Sequence, residues 1–310
     1  HKSVFADRIY GNKPEQKMKK SVKAYAKINL TLNITGRSDG FHDIESLVTT
    51  VDIYDTITVS ARRDDKITLE MHVAGKRFAE DIPVERNNAY KAAKLFAETF
   101  KTGGADVKIV KRIPLGGGLG GSSADAAGVL NAMKALYGVS EDVKPLADML
   151  GSDTGYMTSG GFALISGRGE RVEKIESETK LHLVTVYAKS GVNTAECYKK
   201  FDELGAEGLL SDNVAAAEAV KNGDLCALGK CVGNALYLPA IALNEEIGSN
   251  LGEIRNLSPV ACGMTGSGST VFGIFETEEL CRWAVDKLRK KDLDCEYVCS
   301  VEPGRKNFFG

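Results

Sequence analysis

Residues 111–125 read KRIPLGGGLGGSSAD, in which five of the fifteen positions are glycine. Apolar residues then recur at helical spacing, namely Val129, Leu130, Met133, Leu136 and Tyr137. Gly138 follows at a position where glycine commonly ends a helix. Ser122 and Ser123 are favourable N-cap residues. The stretch therefore predicts a glycine loop that leads directly into a helix.

A glycine loop before a helix is suited to bind anions. Its backbone N–H groups lack partners, the helix dipole favours negative charge, and the missing side chains let a phosphate approach closely. Such loops also form for packing alone, and the stretch by itself leaves both interpretations open.

Two familiar nucleotide-binding motifs fit this loop poorly. The Gly-Lys-Ser/Thr of the Walker A motif is missing. Gly116, Gly118 and Gly121 do match the spacing of the dinucleotide fingerprint. However, Pro114 interrupts the preceding strand, and the acidic residue about twenty positions on, Asp142, follows a helix rather than a second strand. The sequence thus gives little support to a dinucleotide-binding fold.

Composition excludes several classes of protein. The chain has 310 residues and a net charge of −2, with 40 basic and 42 acidic residues. This balance predicts neither nucleic acid nor a membrane surface as the main partner. No apolar run approaches the roughly 18 residues that span a bilayer. The seven cysteines show no CxxC pair, which favours reduced thiols in the cytoplasm over disulfides or zinc. No metal site of the protein's own is predicted.

The length suggests two domains. Residues 1–17 are polar and begin with His, and Met18 resembles a native start, so we interpret 1–17 as a leader. We place an N-terminal domain at 18–175 and a C-terminal domain at 176–310.

Residues 22–34 alternate almost perfectly between apolar and polar side chains. The alternation predicts one strand with a single face in the core. Lys27 and Asn29 fall on the polar face, about 7 Å apart along the strand. A lysine on such a face is usually solvated, so spacing alone does not assign it a function.

Further elements follow from the same patterns. Asn87-Asn88 is predicted to cap a helix that ends near Phe100. Residues 194–256 are mostly helical in pattern, and a second glycine loop covers 263–269. The order of strands and helices in this half predicts an α+β sandwich. Predicted strands and hairpins cover 47–53, 56–60, 67–73, 105–113, 162–166, 171–175, 181–187, 270–275 and 294–301, and a last helix covers 278–290.

Three separated segments together resemble the GHMP kinase superfamily: the strand of Lys27, the loop 114–123, and the late loop 264–268. Each is weak alone, whereas all three in this order are specific. The details at 26–30, 36–42 and 151–153 resemble the branch whose acceptor is a cytidine-diphosphate-linked methylerythritol. The resemblance runs from about Ser21 to Val301.

The resemblance implies a two-domain α+β GHMP kinase fold, with an N-terminal ribosomal-protein-S5-like domain and a C-terminal ferredoxin-like α/β sandwich. It implies ATP-dependent phosphorylation of the 2-hydroxyl of the cytidylated methylerythritol, an isoprenoid precursor of the non-mevalonate pathway. ATP with Mg²⁺ would be required, and a homodimer is compatible with the resemblance. The alternatives are another small-molecule kinase of the superfamily, acting on a mevalonate-like or sugar acceptor, and a non-catalytic ligand sensor on the same fold.

The resemblance also implies roles for individual residues. Asp153 corresponds to the base and Lys27 to the lysine beside it. Asn87 would lie near the adenosine. The residues implied to hold the ATP phosphates are Pro114, Gly116, Gly117, Gly118, Leu119, Gly120, Gly121, Ser122 and Ser123, with Gly266, Ser267 and Gly268 closing the site. The residues implied to hold the acceptor are Asn29, Phe41, His42, Thr194 and Tyr198, with His42 reading the cytosine edge between Phe41 and Tyr198.

Three positions depart from the superfamily branch. Ala124 stands where a second serine is usual, so the hydroxyl groups at the helix start are shifted. Thr154-Gly155 follows Asp153 in place of the usual Val-Pro. Ala235 replaces an aspartate after Asn234. We expect these departures to bear on the phosphate loop, on the rigidity of the Asp153 turn and on the second domain, respectively.

Overall fold

The structure is a computed structural model that describes residues 18–73, 83–205 and 211–302. The predicted leader, residues 1–17, lies outside these ranges. The chain divides by its internal contacts into two compact units. Unit 1 comprises the described residues within 1–25, 53–113 and 121–159, and unit 2 those within 26–52, 114–120 and 160–310. The predicted domain boundary near residue 176 stays a prediction.

Twelve strands are formed by the described residues. They are β1 (Lys19–Asn29), β2 (Thr31–Ser38), β3 (Phe41–Ala61), β4 (Ile67–Val73), β5 (Ala105–Lys111), β6 (Phe162–Gly167), β7 (Arg171–Ile175), β8 (His182–Tyr187), β9 (Gly233–Asn234), β10 (Ala261–Met264), β11 (Val271–Phe275) and β12 (Asp294–Cys299).

Ten α-helices are formed by the same residues. They are α1 (Asn88–Phe100), α2 (Gly121–Tyr137), α3 (Lys144–Asp148), α4 (Thr154–Met157), α5 (Thr194–Leu204), α6 (Asn213–Asn222), α7 (Leu225–Cys231), α8 (Tyr237–Leu243), α9 (Glu246–Arg255) and α10 (Glu278–Arg289). A short 3-10 turn precedes α1.

Unit 1 packs helices against a small group of strands. The second half of β3 lies antiparallel to β5, and β4 lies parallel to β5. Helix α2 approaches these strands closely at Gly128, where an added Cβ would come within 2.8 Å of Ile57 and 3.0 Å of Ala24. Helix α1 buries Phe96 completely on its inward face. Glycine at position 128 therefore lets the helix that follows the glycine loop lie directly on the strands.

Unit 2 contains a four-stranded antiparallel sheet in the order β10-β11-β8-β12. Helices α5 to α9 connect β8 with β10, and α10 connects β11 with β12. This is the strand order and connectivity of a ferredoxin-like sandwich, so the predicted α+β class is confirmed. The core of the unit joins the sheet and helices through buried apolar side chains that include Val184, Val271, Ile247 and Leu288.

The predicted strand 22–34 is wrong in one respect, because the chain breaks at Leu30 into β1 and β2. Leu30 donates its N–H to the carbonyl of Leu47 (2.8 Å), and its own carbonyl accepts from Gly233 (3.3 Å). These bonds take Leu30 out of the regular ladder. The predicted strands 47–53 and 56–60 are likewise one continuous strand, β3.

From Lys27 to Asn33 the polar face of this segment is also buried, contrary to the prediction of one face in the core. Lys27, Asn29, Thr31 and Asn33 are each at most 4% exposed. Inside unit 2 the hydroxyl of Thr31 donates to the side chain of Asn213 (2.5 Å) and accepts from the N–H of Leu47 (2.7 Å). Such polar side chains remain buried at low cost because their hydrogen bonds are made.

The helix start after the glycine loop differs slightly from the prediction. Helix α2 begins at Gly121, so Ser122 and Ser123 lie within its first turn instead of capping it. The other prediction at this helix is confirmed, since Gly138 follows its last residue with φ +65°. Asn87 also caps α1 as predicted, accepting from the N–H of Ala89 (2.8 Å).

We predict that Thr31→Val lowers the free energy of unfolding by about 1–3 kcal/mol, because Leu47 and Asn213 would each lose a buried partner. Thr31→Ser keeps the hydroxyl group and should cost clearly less. Urea unfolding followed by circular dichroism measures both. Equal losses in the two variants would show that the hydroxyl is unimportant.

Candidate functional site

Lys27 and Asn29 stand at the end of strand β1, in unit 2. The ammonium group of Lys27 donates to Oδ1 of Asn29. The same oxygen accepts from the backbone N–H of Gly266 (3.0 Å), and Nδ2 donates to the hydroxyl of Ser46 (2.8 Å). The Asn29 amide therefore orients Lys27 and ties it to the late glycine loop.

Thr265 joins the late loop to the first glycine loop. Its hydroxyl accepts from the N–H of Asn29 (3.0 Å) and donates to the carbonyl of Gly118 (3.2 Å). Asn234 supports the late loop by donating to the carbonyls of Met264 (2.7 Å) and Gly266 (2.9 Å). Asn234 is thus fully engaged, although the residue after it, Ala235, departs from the superfamily pattern.

Each carbonyl from Gly116 to Leu119 accepts a hydrogen bond inside unit 2. That of Gly116 accepts from the N–H groups of Ser269 (3.3 Å) and Val192 (3.4 Å). Those of Gly117 and Leu119 accept from the N–H groups of Thr270 (3.2 Å) and Lys27 (3.0 Å), respectively, and that of Gly118 accepts from Thr265. The loop is therefore fixed through its acceptors.

The backbone N–H groups of this loop, unlike its carbonyls, are largely left without partners. Among the described residues, the N–H groups of Gly118, Leu119 and Gly120 form no hydrogen bond. Gly118 has φ +74°, and a Cβ there would lie 2.1 Å from the carbonyl oxygen of Thr265. Only glycine fits this position. Unpaired backbone N–H groups of this kind can hold a phosphate. In unit 1, the first N–H groups of helix α2 likewise lack partners within the helix.

The first turn of α2 also contacts the start of α1 in unit 1. Asn88 Nδ2 donates to the hydroxyl of Ser122 (3.1 Å). Asn87, predicted to lie near an adenosine, is the N-cap of α1, and its Nδ2 lies 3.3 Å from Sδ of Met71. The structure therefore brings Asn87 and Ser122 to the same end of unit 1.

The Asp153 turn lies beside the same helix start. A Cβ on Gly151 would be 3.7 Å from the hydroxyl oxygen of Ser123, and the carbonyl of Gly151 accepts from Thr154 (3.0 Å). Asp153 directly precedes helix α4. Unit 1 thus places the turn that carries Asp153 against the first turn of α2.

The departure at Gly155 has a structural explanation. A Cβ there would lie 1.9 Å from a carboxylate oxygen of Asp148, which pairs with Lys144 (2.7 Å). The next residue, Tyr156, is only 1% exposed and anchors the short helix in the core. The ion pair and the buried ring therefore fix the turn without a proline.

A cluster of aromatic and charged side chains surrounds His42 in unit 2. Its ring stacks on Tyr198, with centroids 4.8 Å apart and an interplanar angle of 25°. The edge of Phe201 meets the same ring at 5.9 Å. Nε2 of His42 pairs with Asp202 (2.8 Å), whose other oxygen accepts from Arg37 (2.6 Å).

The remaining candidates for the acceptor site also lie in unit 2. Phe41 is 59% exposed, and the guanidinium of Arg168 lies 5.3 Å from the centre of its ring. The hydroxyl groups of Thr194 and Ser267 are 3.0 Å apart, which links the start of α5 to the late glycine loop. Lys27 belongs to unit 2 and Asp153 to unit 1, so their predicted convergence stays a prediction.

A buried charge cluster, which we call the Lys111 clasp (Lys111, Asp55 and Asp125), lies in unit 1. The ammonium of Lys111 donates to Asp125 (2.7 Å) and Asp55 (2.5 Å). Asp55 also accepts from the N–H groups of Arg112 and Ile113. The clasp therefore joins the chain just before the glycine loop to the helix just after it.

The clasp perturbs the titration of its members. Burial alone would lower the pKa of Lys111, but the two carboxylates outweigh it and raise that pKa. Burial, with the nearby Asp55, raises the pKa of Asp125 to about 8 against the attraction of Lys111. Near neutral pH the carboxyl group of Asp125 therefore keeps its proton, while Lys111 stays charged.

Several of these residues are missed by sequence reasoning. Asp202 follows Tyr198 by four residues, a spacing that puts both on one face of a helix. Asp125 falls on the apolar stripe of α2, where a charge usually has a buried partner. For Asp55 the sequence offers no comparable signal, because its partners are 56 to 58 residues away.

Two further properties concern the described ranges only. They contain no group of three or more histidine, cysteine, aspartate or glutamate side chains placed to hold a metal ion. None of their helices has the length and apolar character needed to cross a bilayer.

Comparison with known proteins places the chain in a family. The model for the GHMP kinases N terminal domain matches residues 87–167, and that for GHMP kinases C terminal matches 216–291. A 4-diphosphocytidyl-2-C-methyl-D-erythritol kinase from Clostridium beijerinckii is 35% identical, over 88% of this chain and 97% of that protein. The same kinase from Pelotomaculum thermopropionicum is 34% identical, over 87% and 93%. The chain belongs to this kinase family.

Solved structures agree with this assignment. A crystal structure of 4-(cytidine 5'-diphospho)-2C-methyl-D-erythritol kinase superposes with a TM-score of 0.73 at 30% identity, covering 91% of this chain and 99% of that one. A homoserine kinase from Cytophaga hutchinsonii gives 0.71 at 18% identity, covering 94% and 96%, which shows the fold alone. The protein is therefore an ATP-dependent small-molecule kinase of the GHMP fold, as predicted.

We predict that Asp125 makes the protein less stable as the pH rises from 5 to 8. Its pKa is 3.8 when unfolded and about 8 when folded, so in this window the folded state holds a proton that the unfolded state releases. The free energy of unfolding should then fall by at most about 1.4 kcal/mol per pH unit.

Asp125→Asn carries no proton to release and should lose this slope, as measured by urea unfolding at several pH values. Asp64→Asn is the control, because Asp64 is exposed and Arg62 lowers its pKa to about 2, below the window. Parallel stability curves for wild type and Asp125→Asn would contradict the raised pKa.

Proposed function

We propose that this kinase transfers the γ-phosphoryl group of ATP to the 2-hydroxyl of 4-diphosphocytidyl-2-C-methyl-D-erythritol. The observation that carries the proposal is the sequence identity of 35%, over 88% of this chain, to a kinase named for that substrate. The stacked His42 and Tyr198 rings support a pyrimidine-binding acceptor site. The seven free cysteines support a cytoplasmic location.

The glycine loop, residues 116–121, would hold the ATP phosphates. The carbonyls of residues 116–119 accept hydrogen bonds within the protein, whereas the N–H groups of residues 118–120 remain available to phosphate oxygens. Ser122 and Ser123 can add hydroxyl groups. The late loop, Gly266 to Gly268, would close the phosphate site, and Asn87 would lie near the adenosine.

Magnesium would enter with the nucleotide. Mg²⁺ in kinase sites keeps several waters and is held by substrate phosphates with one or two protein ligands. This fits the described part of the chain, which holds no preformed group of three or more side chains able to bind a metal. The hydroxyl of Ser123 would be its contact on the protein. When bound, the ion neutralises charge on the phosphates.

Phosphoryl transfer requires positioning and charge stabilisation more than covalent chemistry by the protein. The substrate hydroxyl oxygen would form a bond to the γ-phosphorus while the bond to the β,γ-bridging oxygen breaks and ADP leaves. Asp153 would accept the hydroxyl proton late in this step. Lys27, oriented by Asn29, would steady the hydroxyl and the transferring group.

The acceptor would be recognised at the His42 cluster. Phe41 and Tyr198 would stack on the two faces of the cytosine, contributing roughly 1–3 kcal/mol per stacked base. Thr194 would line the same site. Asn29 has one amide hydrogen left for the methylerythritol part, since its other polar contacts are made within the protein.

The proposal is tested by supplying ATP with a panel of acceptors and following ADP release and the phosphorylated product. We expect turnover with the cytidylated methylerythritol and none with mevalonate. Preferred turnover of mevalonate would instead support the alternative acceptor class. Tight binding of the cytidylated compound without turnover would support a ligand sensor.

Asp153→Asn is expected to lower kcat by about 10²- to 10⁴-fold, the usual contribution of a general base. KM for both substrates should change little, because an amide of the same shape preserves the turn. Asp142→Asn, an exposed aspartate elsewhere in unit 1, should keep full activity. Undiminished kcat in Asp153→Asn would remove Asp153 from the mechanism.

A further inference from the structure

Asp202 holds the His42 ring in a defined state. Nε2 of His42 lies 2.8 Å from one carboxylate oxygen, and the guanidinium of Arg37 lies 2.6 Å from the other. The His42 side chain is only 12% exposed, whereas that of Asp202 is 42% exposed. The stack on Tyr198 fixes the plane of the ring. The orientation of the imidazole is therefore set from three sides.

These contacts decide which nitrogen carries the proton. The hydrogen bond from His42, together with Arg37, lowers the pKa of Asp202, so Asp202 is an ionised acceptor. A carboxylate has no proton to donate, so Nε2 of His42 must carry the hydrogen. In the neutral ring Nδ1 is then an acceptor. Within the described ranges Nδ1 has no hydrogen-bond partner.

We propose that Asp202 is a positioning residue that makes the acceptor site selective for cytosine over uracil. By keeping the proton on Nε2, it presents Nδ1 of His42 as an acceptor for the exocyclic amino group of cytosine. The inference rests on the proposed function, which places a cytidine moiety at His42.

The chemistry of the two pyrimidines gives the selectivity its direction. Cytosine carries an amino donor at C4, whereas uracil carries a carbonyl acceptor at the same position. The lone pair on Nδ1 of His42 attracts the amino group of cytosine and repels the carbonyl oxygen of uracil. A site built for a donor leaves a buried group unpaired when the wrong base enters, and this costs affinity.

Arg37 on β2 lies near the other ring nitrogen of His42, Nε2. Its Nη2 is 3.4 Å from Nε2 of His42 but only 2.6 Å from Asp202. The guanidinium therefore donates to the carboxylate, and Nε2 keeps its own hydrogen for Asp202.

The test measures the dissociation constants of CDP and UDP by calorimetry for wild type, Asp202→Ala and Glu203→Gln. Glu203 is the matched control because it follows Asp202 on the same helix and pairs with Lys200 instead (2.6 Å). Wild type and Glu203→Gln should bind CDP at least about tenfold more tightly than UDP. In Asp202→Ala the two constants should agree within about threefold, because the ring can then adopt either tautomer.

Equal binding of CDP and UDP by wild type, or an unchanged ratio in Asp202→Ala, would overturn the inference. Absence of turnover with the cytidylated methylerythritol would overturn the proposed function. If turnover is absent but the preference for CDP disappears in Asp202→Ala, the role of Asp202 is still supported. Failure of the proposed function can therefore be distinguished from failure of the inference about Asp202.

Discussion

The structure depends on the way two glycine loops of unit 2 fix each other. Gly118 can lie against the carbonyl of Thr265 only because it has no side chain and adopts positive φ. The Thr265 hydroxyl bonds both loops, and the Asn29 amide adds the strand that carries Lys27. The backbone carbonyls of residues 116–119 accept hydrogen bonds, whereas the N–H groups of residues 118–120 have no partner among the described residues. The same constraint that makes the loop rigid therefore makes it suited to bind anions.

Within unit 1, the Lys111 clasp likewise fixes the chain beside the glycine loop. It ties the residues just before the glycine loop to the fifth residue of the helix that follows. A buried ion pair contributes little net stability, since desolvation offsets most of the attraction. It does fix geometry, because each member must keep its partners. Ala124 departs from the pattern of the superfamily branch, whereas the next residue, Asp125, is committed to the clasp.

Much of this architecture could be predicted from the sequence, and the exceptions have physical causes. The glycine loop, helix α2 and the α+β class follow from spacing and turn chemistry, which are local properties. The burial of Lys27 and Asn29 could not be predicted, because it depends on Thr265, more than 230 residues away. Roles of single residues needed the resemblance to a family, since a lysine on a strand and an aspartate in a turn are common in themselves.

The most direct test of the central claim observes the loop amides themselves. With glycine labelled by ¹⁵N, a titration with a non-hydrolysable ATP analogue and Mg²⁺ should shift the amide resonances of Gly118, Gly120 and Gly121. The amide of Gly138, at the far end of helix α2, should stay unchanged. Shifts confined to glycines outside residues 116–121 would contradict the claim that the fixed carbonyls leave these amides to hold the phosphates.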